Sequence, residues 1–333
     1  MEKIHYMEKK DLRIIYMGTP EFAVAPLKAL IENGFNIVGV VTMPDKPMGR
    51  HQSKLQSSAV GEYAKEKGLP LLQPERLKDP AFLQQLQELQ AHLQIVVAFR
   101  MLPEVVWAMP PLGTFNLHAS LLPQYRGAAP INWAIIQGEK QSGVTTFFLQ
   151  HDIDTGDIIE QATLDIDPDE DAGSLHNRLQ DLGAKLVVNT TQLILDKKVS
   201  THPQPTTGVE LHAAPKIFKD TCRINWCNHS HQIHNLVRGL SPSPGAWTTL
   251  CHTGTETAPT KELKIFKTSL VDSSNMPPIN HCGQLYVANK KHLFVACQKE
   301  WIEILQLQPA GKRRMETKDF LSGLKNTEEW SME

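Results

Sequence analysis

The sequence predicts an α/β fold, a mostly parallel sheet covered on both faces, followed by a smaller β-barrel domain. Three observations lead there. Short β-branched or aromatic runs alternate with segments of helical period up to about residue 197, the pattern of parallel strands joined by crossover helices. Residues 198–215, with Pro203, Pro205, Gly208 and Pro215 and few large apolar side chains, read as an inter-domain linker. Beyond them, short alternating strands recur as in a small barrel. A chain of 333 residues with 41% hydrophobic content can bury a sizeable core and has room for about two domains.

Residues 12–17 form an apolar run that stops at Gly18-Thr-Pro20, and residues 22–31 carry apolar side chains at helical spacing, which makes a first strand–helix unit. Further strands are expected at 37–42, 95–99, 114–117 and 144–149, with helices at 58–67 and 80–90 among them. Residues 160–171 continue as a strand and an acidic turn, and 174–196 have the period of a long helix through Leu175, Leu179, Leu182, Leu186 and Leu193. In the second domain a helix near 229–239 precedes strands at 246–250, 263–268, 283–287, 293–296 and 301–307. Gly18-Thr-Pro-Glu-Phe22 lacks both Gly-x-Gly-x-x-Gly and Gly-Lys-Ser/Thr, so no nucleotide-phosphate loop is expected there.

Composition excludes several classes. No run of eighteen apolar residues is present, so no membrane span is expected. Residues 1–10 are polar and charged rather than a signal peptide, and Met7-Glu-Lys-Lys repeats the start-like pattern, which makes Met7 a second candidate start. The five cysteines, an odd number, all follow residue 221; they argue against a disulfide framework and suit a reducing, cytoplasmic compartment. The net charge of -2 hides an asymmetry, because residues 211–333 carry 15 basic against 11 acidic side chains. An excess of that size does not by itself indicate nucleic acid. Its sharpest local cluster is Lys312-Arg313-Arg314.

The chemistry concentrates in Asn116-Leu-His-Ala-Ser-Leu-Leu-Pro-Gln-Tyr-Arg-Gly127 and the downstream Asp154-Thr-Gly-Asp157. Asn116 and His118 are two apart, so on a strand both project from the same face. An asparagine amide suits an oxyanion forming on a carbonyl carbon under attack. An imidazole can hold or move a proton near neutrality, and a carboxylate close by, for which Asp154 is the candidate, favours its charged form. Neither Ser nor Cys beside His118 forms a nucleophile elbow, so direct acyl transfer to an amine or water fits better than a covalent acyl-enzyme. Taken singly, each residue also has an ordinary reading: a turn asparagine, a core histidine, a capping aspartate. The joint pattern shifts the balance.

That pattern, Asn-x-His-x-Ser-Leu-Leu-Pro-x-Tyr-Arg-Gly-x-x-Pro with Asp-x-Gly-Asp further on, resembles the signature of the 10-formyltetrahydrofolate-dependent formyltransferases. Features outside it resemble those members that act on methionyl-tRNA: Gly18-Thr-Pro-Glu-Phe-Ala23, Pro44-Asp-Lys-Pro-Met-Gly-Arg50 with Lys54 and Leu55, Ala214-Pro-Lys-Ile-Phe-Lys219, Ile224-Asn-Trp226, Pro244-Gly-Ala-Trp247 and Leu307-Gln-Pro-Ala-Gly-Lys312. The resemblance implies a Rossmann-like catalytic domain and an OB-like barrel that helps to hold tRNA. It implies 10-formyltetrahydrofolate as co-substrate, initiator methionyl-tRNA as acceptor, and a monomer without a metal. Carried over position by position, it assigns catalysis to Asn116, His118 and Asp154, and folate contact to Ser120, Leu121, Leu122 and Pro123. It assigns tRNA contact to Lys46, Arg50, Lys54, Lys312 and Arg313, the first three on a loop that in the family inserts into the acceptor arm. Two departures stand out: His51 where many members have Gly, and Phe99-Arg100-Met101-Leu-Pro103 beside the pterin pocket.

The expected domains are an extension at 1–11, a formyltransferase catalytic domain at 12–197, a linker at 198–215 and a tRNA-binding barrel at 216–333. A metal at Cys222, Cys227, His229, His231 and His234 is a weaker reading, because that spacing matches no Cys-x-x-Cys pair. A sugar N-formyltransferase would share the Asn-His-Asp set but has no need of the basic loop or of Lys312. A catalytically silent tRNA-binding module would have no need of the three polar residues. An enzyme acting on glycinamide ribonucleotide would call for a phosphate-cradling glycine loop, which is missing.

Overall fold

The computed structural model describes residues 7–48, 54–205, 208, 210–253, 260–324 and 326–333. Two compact units emerge: residues 1–127, 141–164 and 176–214 in the first, and 128–140, 165–175 and 215–333 in the second.

The first unit opens with β1 (Arg13–Gly18), a short 3-10 turn (Glu21–Ala23), α1 (Val24–Glu32) and β2 (Asn36–Val41). There follow β3 (Lys46–Met48), β4 (Lys54–Gln56), α2 (Ala59–Glu66), β5 (Leu71–Leu72), α3 (Pro80–Glu88), β6 (Leu93–Val97), α4 (Glu104–Trp107), β7 (Thr114–His118) and β8 (Arg126–Gly127). The start signals are local. Ser58 caps α2 by accepting from Gly61 N–H, and Asp79 caps α3 by accepting from Ala81 N–H, with Pro80 at its first position. After α5 (Pro130–Ile136), which belongs to the second unit, come β9 (Gln141–Phe148), β10 (Ile158–Asp165), α6 (Ala172–Leu195) and β11 (Ala213–Ala214).

The main sheet runs β10-β9-β7-β6-β1-β2-β5. The pairs β1–β2, β1–β6, β2–β5 and β6–β7 are parallel. β6 is buried along its whole length, and β1 from Ile14 onward, which is why they read as continuous apolar runs rather than as alternation. Next to β7 the direction changes: β9 is antiparallel and sets Thr145 opposite His118 and Phe147 opposite Asn116. β9, which follows the Asn116–Gly127 motif, therefore returns along β7, a feature that β-branched content at 144–149 does not disclose.

Two other stretches differ from a plain reading as loops. Residues 46–56 begin and end as a hairpin, with Lys46 opposite Gln56 and Met48 opposite Lys54. Among its described residues the segment 198–215 is held at two places by backbone pairing: Ile158 and His202 exchange backbone hydrogen bonds at 2.9 and 3.1 Å, and β11 pairs with β8. It lacks the apolar side chains of a regular element, yet its backbone groups still find partners, as a segment lying on folded protein must.

The second unit contains α5, α7 (Ser230–Leu240), α8 (Thr317–Ser322) and the strands β12 (Ala246–His252), β13 (Lys261–Leu270), β14 (Leu285–Ala288), β15 (His292–Ala296), β16 (Trp301–Pro309), β17 (Met315–Glu316) and β18 (Trp330–Met332). Their order is β14-β15-β16-β13-β12-β18, with β17 against β16. A bridge between Gln284 and Ser331, with Met332 N–H donating to Gly283 C=O at 2.9 Å, brings β18 back to the start of β14 and nearly closes the barrel. Inside it Leu250, Leu263, Ile265, Leu293, Ile302, Ile304 and Leu307 are fully buried and pack with Ile233, Val237 and Leu240 of α7. Asn132 of α5 donates to the Gly239 carbonyl, and Arg238 of α7 to that of Glu170, which joins the stretches 128–140 and 165–175 to this unit.

Ile304 has no exposed surface. Ile304→Ala is expected to destabilise the second unit by about 2–5 kcal/mol, the usual range for emptying such a site. The check is a lower urea midpoint at unchanged slope; an unchanged midpoint would show that the barrel interior does not depend on this side chain.

Candidate active site

β7 delivers the first two polar residues. Asn116 and His118 alternate with Phe115 and Leu117, which are buried in the sheet. His118 is 7% exposed; its Nε2 lies 2.8 Å from the Tyr125 carbonyl oxygen and its Nδ1 lies 3.7 Å from Asp154 Oδ2. A carbonyl can only accept, so Nε2 carries a hydrogen and the Nδ1 edge is left for chemistry. In the neutral ring, Nδ1 is an acceptor that faces a carboxylate, so the pair has room for one proton between them. Asn116 differs from its surroundings: its Oδ1 is buried and, among the described residues, has no hydrogen-bond partner. A half-buried amide held back from the internal network suits a ligand.

Asp154 arrives from the turn after β9. Its backbone is left-handed, with φ of 54°, and its Oδ2 accepts the Gly127 N–H at 3.0 Å. Two glycines allow this approach. Gly127 has φ of 123°, and a Cβ there would stand 2.6 Å from the Ala214 carbonyl oxygen; one on Gly156 would stand 1.7 Å from that of Phe148. The Arg-Gly and Asp-x-Gly-Asp elements thus meet because neither glycine carries a side chain.

The stretch Ser120 to Pro123, expected to contact folate, is placed beside His118 but is largely satisfied from within. Ser120 Oγ donates to the Gln124 carbonyl, Thr145 Oγ1 donates to the Ser120 carbonyl and accepts from Leu122 N–H, and Gln161 donates to the Leu122 carbonyl. Leu122 is buried with Phe147 and Ile158, while Leu121 and Pro123 are half-buried. Arg100, the departure next to the pterin region, turns its guanidinium onto the carbonyls of Pro74 and Glu75 at 2.5 and 2.8 Å and lies over the Phe99 ring.

Of the basic residues, Lys46 is exposed at the start of the hairpin, Lys54 lies in β4, and Arg50 and His51 lie outside the described residues. Sequence reasoning missed the clamp at the hairpin base. Asp45 accepts from Gln73 and Ser57 on Oδ1 and from Lys65 on Oδ2, and Thr42 bonds Ser58 at 2.7 Å. These bonds, from Gln73 first and then Ser57 and Lys65, hold the Asp45 carboxyl at about 2. In the second unit Lys312 and Arg313 are exposed after β16. Aromatic residues under the neighbouring cations were also missed: Arg314 lies over Phe266 at 4.4 Å, and Lys219 and Arg223 over Trp247 at 5.0 and 5.5 Å. The sequence carries no local signal for them, because the partners stand 24 to 48 positions apart in the chain. Among the described residues no group of three or more His, Cys, Asp or Glu is placed to hold a metal ion.

Comparison with known proteins agrees on one family. Residues 12–191 match the formyl transferase family and residues 216–325 the formyl transferase C-terminal domain. The chain is 54% identical to the methionyl-tRNA formyltransferase of Parabacteroides distasonis, over 98% of this chain and 100% of that one, and 50% identical to that of Bacteroides thetaiotaomicron with the same coverage. Among solved structures, its fold is similar to that of the N-formyltransferase from Helicobacter canadensis in complex with folinic acid and dTDP-3-aminofucose (TM-score 0.63, 20% identity, covering 89% of this chain and 99% of that one). It is also similar to HypX from Aquifex aeolicus in complex with tetrahydrofolic acid (TM-score 0.61, 16% identity, 94% and 48% coverage).

The Asp45 clamp sets a pH dependence. Its carboxyl titrates at about 2 when folded and at about 3.9 when unfolded. The clamp therefore stabilises the fold fully above about pH 4 and loses that contribution as pH falls towards 2. The stability gap between the native chain and Asp45→Asn should be widest above pH 5 and shrink on acidification, as read by urea unfolding at a series of pH values. A gap constant down to pH 2.5 would contradict this.

Proposed function

The chain belongs to the formyl transferase family, and we propose that it transfers the formyl group of 10-formyltetrahydrofolate to the α-amino group of initiator methionyl-tRNA, for the initiation of translation. The observation that carries the chemistry is the meeting of Asp154 with His118 beside an Asn116 amide kept out of the internal network. The neutral amine attacks the formyl carbon, and its carbonyl oxygen becomes an oxyanion within reach of the Asn116 amide and of a proton on His118 Nδ1. Collapse breaks the bond from the formyl carbon to the folate nitrogen. The amine loses a proton and the departing nitrogen gains one, with Asp154 orienting His118 and passing protons through water.

Ser120, Leu121, Leu122 and Pro123 form the folate side of this site in our reading, with Leu121 and Pro123 nearest to solvent and Ser120 and Leu122 as their support. Lys46, Arg50 and Lys54 of the 44–55 segment, and Lys312 and Arg313 on the barrel, contact tRNA; the cations stacked on Trp247 and Phe266 support a nucleic-acid role for the barrel. The catalytic domain of this reading spans 12–197 and the tRNA-binding barrel 216–333, joined by 198–215. The protein acts as a monomer in the cytoplasm; among the described residues no helix is long and apolar enough to cross a membrane.

One assay tests the function: formylation of initiator methionyl-tRNA against amino-sugar nucleotides, with the same folate donor. Preference for the sugars would replace the proposal with a sugar N-formyltransferase. Asn116→Ala, His118→Ala and Asp154→Ala should each lower turnover about a hundredfold or more while folate binding changes far less. Near-native turnover in any folded variant would remove that residue from the mechanism. Arg50→Ala should weaken use of methionyl-tRNA and flatten its salt dependence while leaving hydrolysis of the folate donor unchanged. Equal loss in both reactions would place Arg50 in the chemical step or in folding.

A further inference from the structure

Gln204 lies in the stretch that composition marks as a linker, between Pro203 and Pro205. It is nevertheless 6% exposed, and its amide is fully engaged. The amide nitrogen donates to the carbonyls of Asp154 and Gly156, both at 2.9 Å, and the amide oxygen accepts from Arg126 Nε and Nη2 at 3.0 and 2.5 Å. Two donors meet two carbonyls and two lone pairs meet two N–H groups, so the hydrogen-bonding capacity of the group is used up. The prolines on either side fix the local backbone, which presets where the amide points.

The groups that it joins are the ones that position the catalytic pair. Arg126 sits between Tyr125, whose carbonyl holds His118 Nε2, and Gly127, whose N–H holds Asp154 Oδ2. On the other side, bonds to the carbonyls of residues 154 and 156 set the peptide planes of a turn in which Asp154 is left-handed. A left-handed aspartate persists only where the surroundings hold it. We infer that Gln204 is a positioning residue for formyl transfer, which through one buried amide locks the Asp154 turn to the Tyr125–Gly127 strand and so sets the approach of Asp154 to His118. This rests on the assignment of Asp154 and His118 as the catalytic pair.

The role predicts effects on turnover rather than on substrate affinity. Gln204→Met removes every bond at nearly constant volume; Gln204→Glu keeps the acceptor for Arg126 and loses the two donors to the turn. Both should lower kcat by about ten- to a hundredfold, the scale of a displacement near the chemistry, with KM for folate and for methionyl-tRNA within about twofold. The pH profile of kcat should shift in both, because the environment of the His118–Asp154 pair changes. In an Asp154→Ala background, Gln204→Met should add no further loss of turnover, since residues that act as one unit combine non-additively. Should Gln204→Met fail to fold, Gln204→Glu carries the same comparison, because it still pairs the Arg126 guanidinium. Native-like kcat in a folded Gln204 variant, or a full additional loss on top of Asp154→Ala, would overturn the inference. An Asp154→Ala protein of near-native turnover would instead overturn the catalytic assignment.

Discussion

Three residues of backbone hold both His118 and Asp154, the pair proposed to act in catalysis. Tyr125 offers its carbonyl to His118 Nε2, and two positions later Gly127 offers its N–H to Asp154 Oδ2. The imidazole comes from β7 and the carboxylate from the turn after β9, and neither reaches the other within hydrogen-bond distance. What keeps them in register is the short strand β8, itself pinned by β11 and by Gln204. Around this strand the requirements become strict: a glycine at 127 so that the Ala214 carbonyl can approach, a glycine at 156 so that the turn can pass Phe148, and a left-handed Tyr125 and Asp154. The Arg-Gly and Asp-x-Gly-Asp elements owe their form to that convergence.

The same convergence separates what could be read from the sequence from what could not. The alternation of apolar runs with helical-period segments located β1, β2 and the 95–97 part of β6, because buried parallel strands leave an apolar signature, while β7 showed through its β-branched and aromatic content. The spacing of two between Asn116 and His118 on a strand was equally legible, since side-chain direction on a strand depends only on parity. The antiparallel direction of β9 was not, because hydrophobic content carries no sign of strand polarity. Thr145 therefore stood out only once its hydroxyl was seen to serve the Ser120 and Leu122 backbone. The hairpin at 46–56 was hidden by its proline, glycine and charges, which resemble those of an open loop; its closure depends on Asp45, Ser57, Lys65 and Gln73, residues up to 28 positions apart.

Residues 198–215 show the limit of composition most clearly. Few apolar side chains and three prolines and a glycine describe an unstructured connection well, and they also describe a segment whose bonds are made by backbone and by a few polar side chains such as Gln124 and Gln204. The first unit takes the chain up to residue 214, while 128–140 and 165–175 pair with residues of the second unit. Boundaries drawn along the sequence assume that each domain is one continuous piece. Here the β9–β10 segment, which carries the Asp154 turn, enters and leaves through stretches of the other unit.

The polar groups around the site are unequal in a way that bears on the proposed chemistry. Ser120, Thr145, Gln161 and Gln204 are all engaged inside the protein. Asn116 is the exception, with a buried Oδ1 that lacks any partner among the described residues. An unsatisfied buried polar atom costs about 1–3 kcal/mol in the free protein. That penalty is relieved only when a hydrogen-bond donor arrives at Oδ1, so the site is better matched to an occupied state than to an empty one. The N–H groups of an attacking amine are such donors and strengthen as positive charge develops on the nitrogen, so part of that relief appears in the transition state, where it accelerates the reaction rather than merely tightening binding. The satisfied residues supply the complementary half: because they are already paired, they hold Asn116, His118 and Asp154 still while the charge develops.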